Sequence, residues 1–173
     1  MYKVYKSNVI LQNLDNLIND LNWCKNLNMF KDYTRSHNQY NLFSLNPNSL
    51  VLNMLFIELK KKIRKFLQTD EPLWIECWLN YHYPNEVLTR HNHYWPWHGY
   101  ISIRPFDTTT VFDNYEIKNK VGNIYIGEGH NAHYVKVNKP FYEPRITIGF
   151  DIKDTNRKID MKNDTHFSFI PLS

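Results

Sequence analysis

The sequence predicts a mainly β protein, a jelly roll or related barrel with N-terminal helices packed on one sheet, and three observations predict it. Apolar residues recur at helical spacing only within about the first 70 residues. The rest breaks into short segments rich in Trp, Tyr, Ile, Val and Thr, separated by Pro, Gly, Asn and Asp. No helical pattern intervenes between those segments, so consecutive strands must pair antiparallel or cross between two sheets. A chain of 173 residues suits one core: a single domain, 1–173, with a helical part over 1–70 and a jelly-roll core over 71–173.

The elements follow in order. In "LQNLDNLINDLNWC", Leu11, Leu14, Leu17, Ile18 and Leu21 fall at steps of three and four, one face of a helix from about Leu11 to Cys24 that needs a sheet to cover. A polar stretch spans 32–48. Pro47 and Ser49 then signal the start of "SLVLNMLFIELKKKIRKFLQ", apolar in its first half and basic in its second, where Lys and Arg suit the C-terminal end of the helix dipole. Strands are expected near 73–83, 86–92, 98–104, 108–113, 121–127, 133–138, 144–152 and 165–170.

Composition excludes several classes. The hydrophobic fraction is 42% and the aromatic fraction 16%, enough for a packed core, while a mean hydropathy of -0.58 describes a wet surface. No apolar run approaches the roughly 20 residues that span a bilayer, and "MYKVYKSNVILQNLDN" lacks the pattern of a signal peptide, so no membrane association and a cytoplasmic location, a host's if the source is viral, are expected. Cys24 and Cys77 are far apart and read as reduced core thiols. The net charge of +4 is concentrated in "ELKKKIRK", which reads as a solvated helix face; nucleic acid is not an expected partner.

The segment "TRHNHYWPWHGY" carries the first candidate chemistry. His91 and His93 lie two apart on an extended stretch and so point to one side, where both can bind one ion. "GEGHNAHYVKVN" offers His130 and His133 as further ligands. In "PRITIGFDI" the alternation places Arg145, Thr147 and Gly149 on one face. A guanidinium beside a hydroxyl can clamp a carboxylate; a surface Arg paired with Glu143 or Asp151 is the alternative.

"WLNYHYPNEVLTRHNHYWPWHGYISIRP" resembles the first signature of iron(II)- and 2-oxoglutarate-dependent oxygenases of a type common in marine bacteria and phages, through Trp78, Asn80, Pro84, His91, His93, Gly99, Tyr100 and Pro105. "VGNIYIGEGHNAHYV" with "EPRITIGFDI" is similar to the second, through Gly122, His133, Val135, Arg145 and Thr147. The likeness covers about residues 74–152. It implies a double-stranded β-helix, with Fe(II), 2-oxoglutarate as cosubstrate and O2. It also implies decarboxylation of the cosubstrate to succinate and CO2, coupled to hydroxylation of a second substrate. By carry-over, His91 and His133 would be metal ligands, His93 would take the third position, and Arg145 with Thr147 would hold the distal carboxylate of the cosubstrate. Tyr83 is a further candidate for contact with the cosubstrate.

His93 departs from the family's usual Asp or Glu, which leaves iron and zinc both open as the metal. If His93 points elsewhere, Asp107 or Asp113 are candidates for its place. His98 stands where the family often has Ser and could meet substrate or simply cap a strand; His130 reads as a solvent-facing residue. Trp95, Pro96 and Trp97 form core packing or the wall of a substrate channel. The primary substrate, a peptide, amino acid or nucleotide, and the oligomeric state are left open. Two other readings stand beside the oxygenase: a three-histidine metal cupin of the thiol dioxygenase or isomerase type, and a non-catalytic jelly-roll module for binding or virion assembly.

Overall fold

The computed structural model describes residues 1–27, 39–84, 86, 88–154 and 168–172. In chain order the elements are β1 (Tyr2–Lys6), α1 (Asn8–Lys25), α2 (Leu42–Leu45), α3 (Leu50–Leu67), β2 (Leu73–His82), β3 (Trp97–Arg104), β4 (Thr108–Phe112), β5 (Glu116–Lys118), β6 (Asn123–Glu128), β7 (His133–Val137), β8 (Arg145–Asp154) and β9 (Ile170–Pro171). The fold is the expected one: antiparallel sheets of a jelly roll, with helices on one of them.

Both long helices begin where a serine can cap them. The Ser7 hydroxyl accepts from the backbone N–H of Ile10, which starts α1 three residues earlier than its apolar spacing indicates. Ser49 does the same for Leu52 in α3. α3 closes at Gln68, whose φ of 51° is left-handed and whose N–H donates to the Arg64 carbonyl.

Six strands form the large sheet, in the order β1-β6-β3-β8-β2-β9, and three form the small one, β5-β4-β7. β8 runs through the middle of the large sheet and is buried almost throughout. Its alternation assigns the two faces. Ile146, Ile148, Phe150 and Ile152 point to the helices, where they join Ile75, Cys77 and Leu79 of β2 and Ile101 and Ile103 of β3 against Leu17 and Leu21 of α1 and Leu55, Leu59 and Ile63 of α3. Each such side chain, fully buried, contributes about 1.5–3 kcal/mol, so this layer is where the stability lies. The odd-numbered residues Arg145, Thr147, Gly149 and Asp151 point the other way.

Several expected elements differ. Residues 85 and 87 lie outside those described, and among the described residues of 86–92 the one ladder position is the bridge at His91. The segment touches β7 at two places: His91 and His133 exchange both backbone hydrogen bonds, at 3.0 and 2.8 Å, and Val135 N–H donates to the Leu88 carbonyl at 3.3 Å. The strand expected over 121–127 starts at Asn123, after a turn through Gly122. Of the segment 165–170, residues 165–167 lie outside those described, and Ile170–Pro171 pairs with Ile75 and Trp74. Within the polar stretch 32–48, residues 32–38 also lie outside, whereas Asn41 caps the short α2 by accepting from Phe43 N–H. β1 and β5 were not expected; β1, "YKVYK", is itself an edge strand and pairs along β6. No helix among the described residues is long and apolar enough to cross a membrane.

Candidate metal centre

The double bridge between His91 and His133 brings two imidazoles to the mouth between the sheets, with ring centroids 4.4 Å apart. His93 joins them, 5.3 Å from His91 and 5.4 Å from His133 between centroids. Its backbone is fixed by donating to the Gly129 carbonyl at 2.8 Å. Gly129 is required there, since a Cβ at that position would lie 1.9 Å from the carbonyl oxygen of Trp95. One ligand nitrogen from each of His91, His93 and His133 lies within 4.8 Å of the others.

In all three rings Nδ1 faces an oxygen. It lies 2.9 Å from the Thr89 carbonyl in His91 and 3.3 Å from the Asn131 carbonyl in His133. In His93 it lies 2.8 Å from Asp151 Oδ1. A proton held on Nδ1 leaves the Nε2 lone pair as the donor to a metal, the arrangement found around most ligating histidines. Burial, reinforced by the neighbouring imidazoles His91 and His93, lowers the His133 pKa to about 3, so the ring is neutral and able to coordinate at neutral pH.

His98, on β3, lies within the same cluster. It is fully buried, stacks at 4.3 Å on His93 and 4.8 Å on His133, and its Nε2 has no hydrogen-bond partner. Burial first, then His93 and His133, holds its pKa well below the ordinary histidine value. A second grouping with metal-ligand spacing is therefore His93, His98 and Asp151.

Away from the histidines, the inward face of the large sheet carries an anion cradle. Arg145 is buried, and no carboxylate among the described residues pairs with it; Nη1 lies 3.4 Å from His82 Nδ1, and Nε has no partner. Burial lowers its pKa to about 10, which still leaves the guanidinium charged. The strand register places Thr147 beside Asn80 of β2 and Ser102 of β3, and Gly149 beside Trp78 and Tyr100. Asn80 Nδ2 donates to Thr147 Oγ1 at 3.4 Å. A Cβ at Gly149 would stand 2.5 Å from the Trp78 indole, so glycine lets that ring lie across β8, where it approaches His93 at 6.1 Å.

Among the described residues, six buried side-chain atoms lack a hydrogen-bond partner: His82 Nε2, His98 Nε2, the Tyr100 hydroxyl, Ser102 Oγ, Arg145 Nε and Asp151 Oδ1. Thr110 approaches the Tyr100 hydroxyl without the alignment of a hydrogen bond, and the same holds for His93 beside Asp151. By strand alternation all six atoms belong to the inward face of three adjacent strands. Such atoms are costly without a partner, and here they are concentrated on one face of the sheet.

The structure thus brings His91, His93 and His133 together and sets Arg145 and Thr147 on the same wall. Tyr83, expected near the cosubstrate, requires correction: it is half exposed, and its hydroxyl accepts from Lys25 Nζ at 2.6 Å on the side of α1. The odd residues at the end of β2 face the helices, which is why Tyr83 turns away. Asp113 pairs with Arg90, and Asp107 lies by Lys118 and Lys139, so neither stands in for His93. Glu143, considered as a partner of Arg145, pairs with Arg104. His130 is exposed, 3.9 Å from Glu128. The sequence reading missed the buried companions His82 and Ser102, and it considered Asp151 as a surface partner of Arg145, whereas Asp151 is buried beside His93. Extending the alternation of β8 by one step past Gly149 would have placed Asp151 on the face of Arg145 and Thr147.

No protein-family model matches the chain, and no curated protein matches it in sequence. Solved structures do match. The α-ketoglutarate-dependent carbocyclase SnoK of nogalamycin biosynthesis superposes with a TM-score of 0.67 at 8% identity, covering 88% of this chain and 79% of that one. Apo HygX from Streptomyces hygroscopicus gives 0.63 at 13% identity, over 92% and 86%. The epimerase SnoN, in complex with Fe3+, α-ketoglutarate and nogalamycin RO, gives 0.59 at 10% identity, over 99% and 94%. At these identities the likeness is one of architecture, and the chain shares its jelly-roll fold with these three proteins, of which SnoK and SnoN are described as non-haem α-ketoglutarate-dependent enzymes.

Proposed function

We propose that this protein is an Fe(II)- and 2-oxoglutarate-dependent oxygenase, in which His91, His93 and His133 hold the metal and Arg145 with Thr147 holds the distal carboxylate of the cosubstrate. The observation that carries it is the buried, carboxylate-free Arg145 on the wall that leads to the three histidines. An isolated buried cation is expensive unless an anion completes it, and a dicarboxylate cosubstrate supplies that anion. SnoN binds iron and α-ketoglutarate on the same fold.

Iron(II) with 2-oxoglutarate and O2 would supply the oxidative decarboxylation to succinate and CO2, one oxygen atom of O2 passing to succinate and the other to a substrate C–H bond. The chain's own residues do the rest. The oxygens at each Nδ1 fix the orientation of the imidazoles. Arg145 and Thr147 anchor the far end of the cosubstrate by charge-assisted hydrogen bonds, Ser102 offers a further hydroxyl opposite Thr147, and Trp78 and Tyr100 wall the space between and keep water out. Hydroxylation of an amino-acid or protein side chain is the outcome proposed; SnoK and SnoN direct the same scaffold to carbocycle formation and epimerisation. Tyr94, 61% exposed and adjacent to His93 in the chain, is placed to meet such a substrate.

The test is succinate formation from 2-oxoglutarate in air, with Fe(II) and pools of amino acids or peptides. Turnover that needs iron and is lost in Arg145→Ala supports the proposal, and its absence across the pools together with tight zinc binding favours the second reading. That second reading, a three-histidine metal cupin, is favoured by one observation, the absence of a carboxylate at position 93.

A further inference from the structure

We infer that Asp151 supplies, from behind His93, the carboxylate that the three-histidine ligand set lacks, and so acts as a positioning residue for the metal. The inference rests on the metal site proposed above and adds a residue to it.

Of the three ligand histidines, His93 alone sets its Nδ1 against a charged oxygen. His91 and His133 face backbone carbonyls, whereas His93 Nδ1 stands 2.8 Å from Asp151 Oδ1 with both side chains largely buried, 12% and 8% exposed. No lysine or arginine among the described residues lies within ion-pairing distance of Asp151. A buried carboxylate needs a cationic partner to be tolerated. Neutral imidazole is a poor one, but imidazole whose Nε2 binds a dication becomes a strongly polarised N–H donor. The pair is therefore incomplete without the metal and complete with it.

Charge and packing agree. A dication with three neutral imidazoles and one carboxylate just behind them carries the same net charge as a dication bound by two imidazoles and a carboxylate. The carboxylate has moved outward by the width of one ring. Trp78, lying across Gly149 and over His93 at 6.1 Å, shields the dyad from water, where a low local dielectric strengthens the interaction. Asp151 reaches this point because it follows Arg145, Thr147 and Gly149 on the inward face of β8, with His98 and Glu76 as its register neighbours.

The experiment measures Co(II) affinity of the full chain under anaerobic conditions by competition with a chelator, together with the visible Co(II) spectrum. Asp151→Asn is expected to weaken binding by about 10- to 100-fold and to shift the spectrum, with Asp151→Glu recovering part of both. In a His93→Asp background the ring that couples Asp151 to the metal is gone, so Asp151→Asn is expected to change affinity far less than in wild type. If Asp151→Asn alone does not fold, the affinity and spectrum of Asp151→Glu, which moves the carboxylate without removing it, decide the matter. Unchanged affinity and spectrum in Asp151→Asn, with wild type binding Co(II), would overturn the inference and leave the metal site standing. Retention of Co(II) by His133→Ala, with loss in Asp151→Asn, would overturn it in favour of Asp151 as a direct ligand beside His93 and His98. No Co(II) bound by wild type would remove the metal site and the inference together.

Discussion

Arg145 offers the sharpest contrast between a functional and a structural role. Replacing it with Met keeps most of the side-chain volume and removes the charge. Burial lowers its pKa from the ordinary arginine value to about 10, a penalty on the charged form. No carboxylate among the described residues repays it. Arg145→Met should therefore leave the ligand-free protein as stable as wild type, or more stable by about 1–3 kcal/mol. Binding should move the other way. Truncating one partner of a buried charge pair costs about 2–5 kcal/mol, or roughly 30-fold to several-thousand-fold in the Kd of 2-oxoglutarate. Thermal unfolding of the metal-loaded protein, with and without 2-oxoglutarate, reads both quantities: the cosubstrate raises the Tm of wild type and does not raise that of the variant. A variant that unfolds several degrees lower without ligand, yet keeps the full response to 2-oxoglutarate, would refute the reasoning and make Arg145 a structural residue.

Further outcomes are expected. His91→Ala and His133→Ala should each abolish metal binding in equilibrium dialysis, because two imidazoles do not fix one ion in this mouth. Stability of the metal-free protein should fall on acidification: His82 titrates at about 4 and His133 at about 3 in the fold, against 6.5 when unfolded. The unfolded chain thus binds more protons below pH 6.5, so stability is full above that value and is lost as pH falls towards 3, as urea midpoints across that range would show. Gly149→Ala forces a methyl against the Trp78 indole at 2.5 Å and should cost about 1–3 kcal/mol, accompanied by a change in tryptophan fluorescence.

Much of this was legible in the sequence because its signals are local. The three-and-four spacing of Leu14, Leu17, Ile18 and Leu21 marks α1, and the alternation in "RITIGFDI" marks β8 and the shared face of Arg145 and Thr147. His91 and His93 read as a pair because only one residue separates them. What was not legible depends on register between distant strands. That Ser102 stands beside Thr147, His82 beside Arg145, and Asp151 against His93 follows from pairings that single segments do not encode. Tyr83 was misplaced for a related reason: its strand side is set by the register of β2 on β8, which turns it to Lys25 and α1. The segment 86–92 reads as a strand by composition, yet among its described residues it pairs with β7 at Leu88 and His91, enough to deliver one histidine to the site.

If His91, His93 and His133 hold one metal and Arg145 holds the far carboxylate of 2-oxoglutarate, anaerobic titration with Fe(II) and then 2-oxoglutarate should give the weak visible charge-transfer band of the chelated cosubstrate. That band should saturate at one equivalent of iron, disappear in His133→Ala, and in Arg145→Met need far more 2-oxoglutarate. Iron binding with no band at any concentration of 2-oxoglutarate would contradict this assignment.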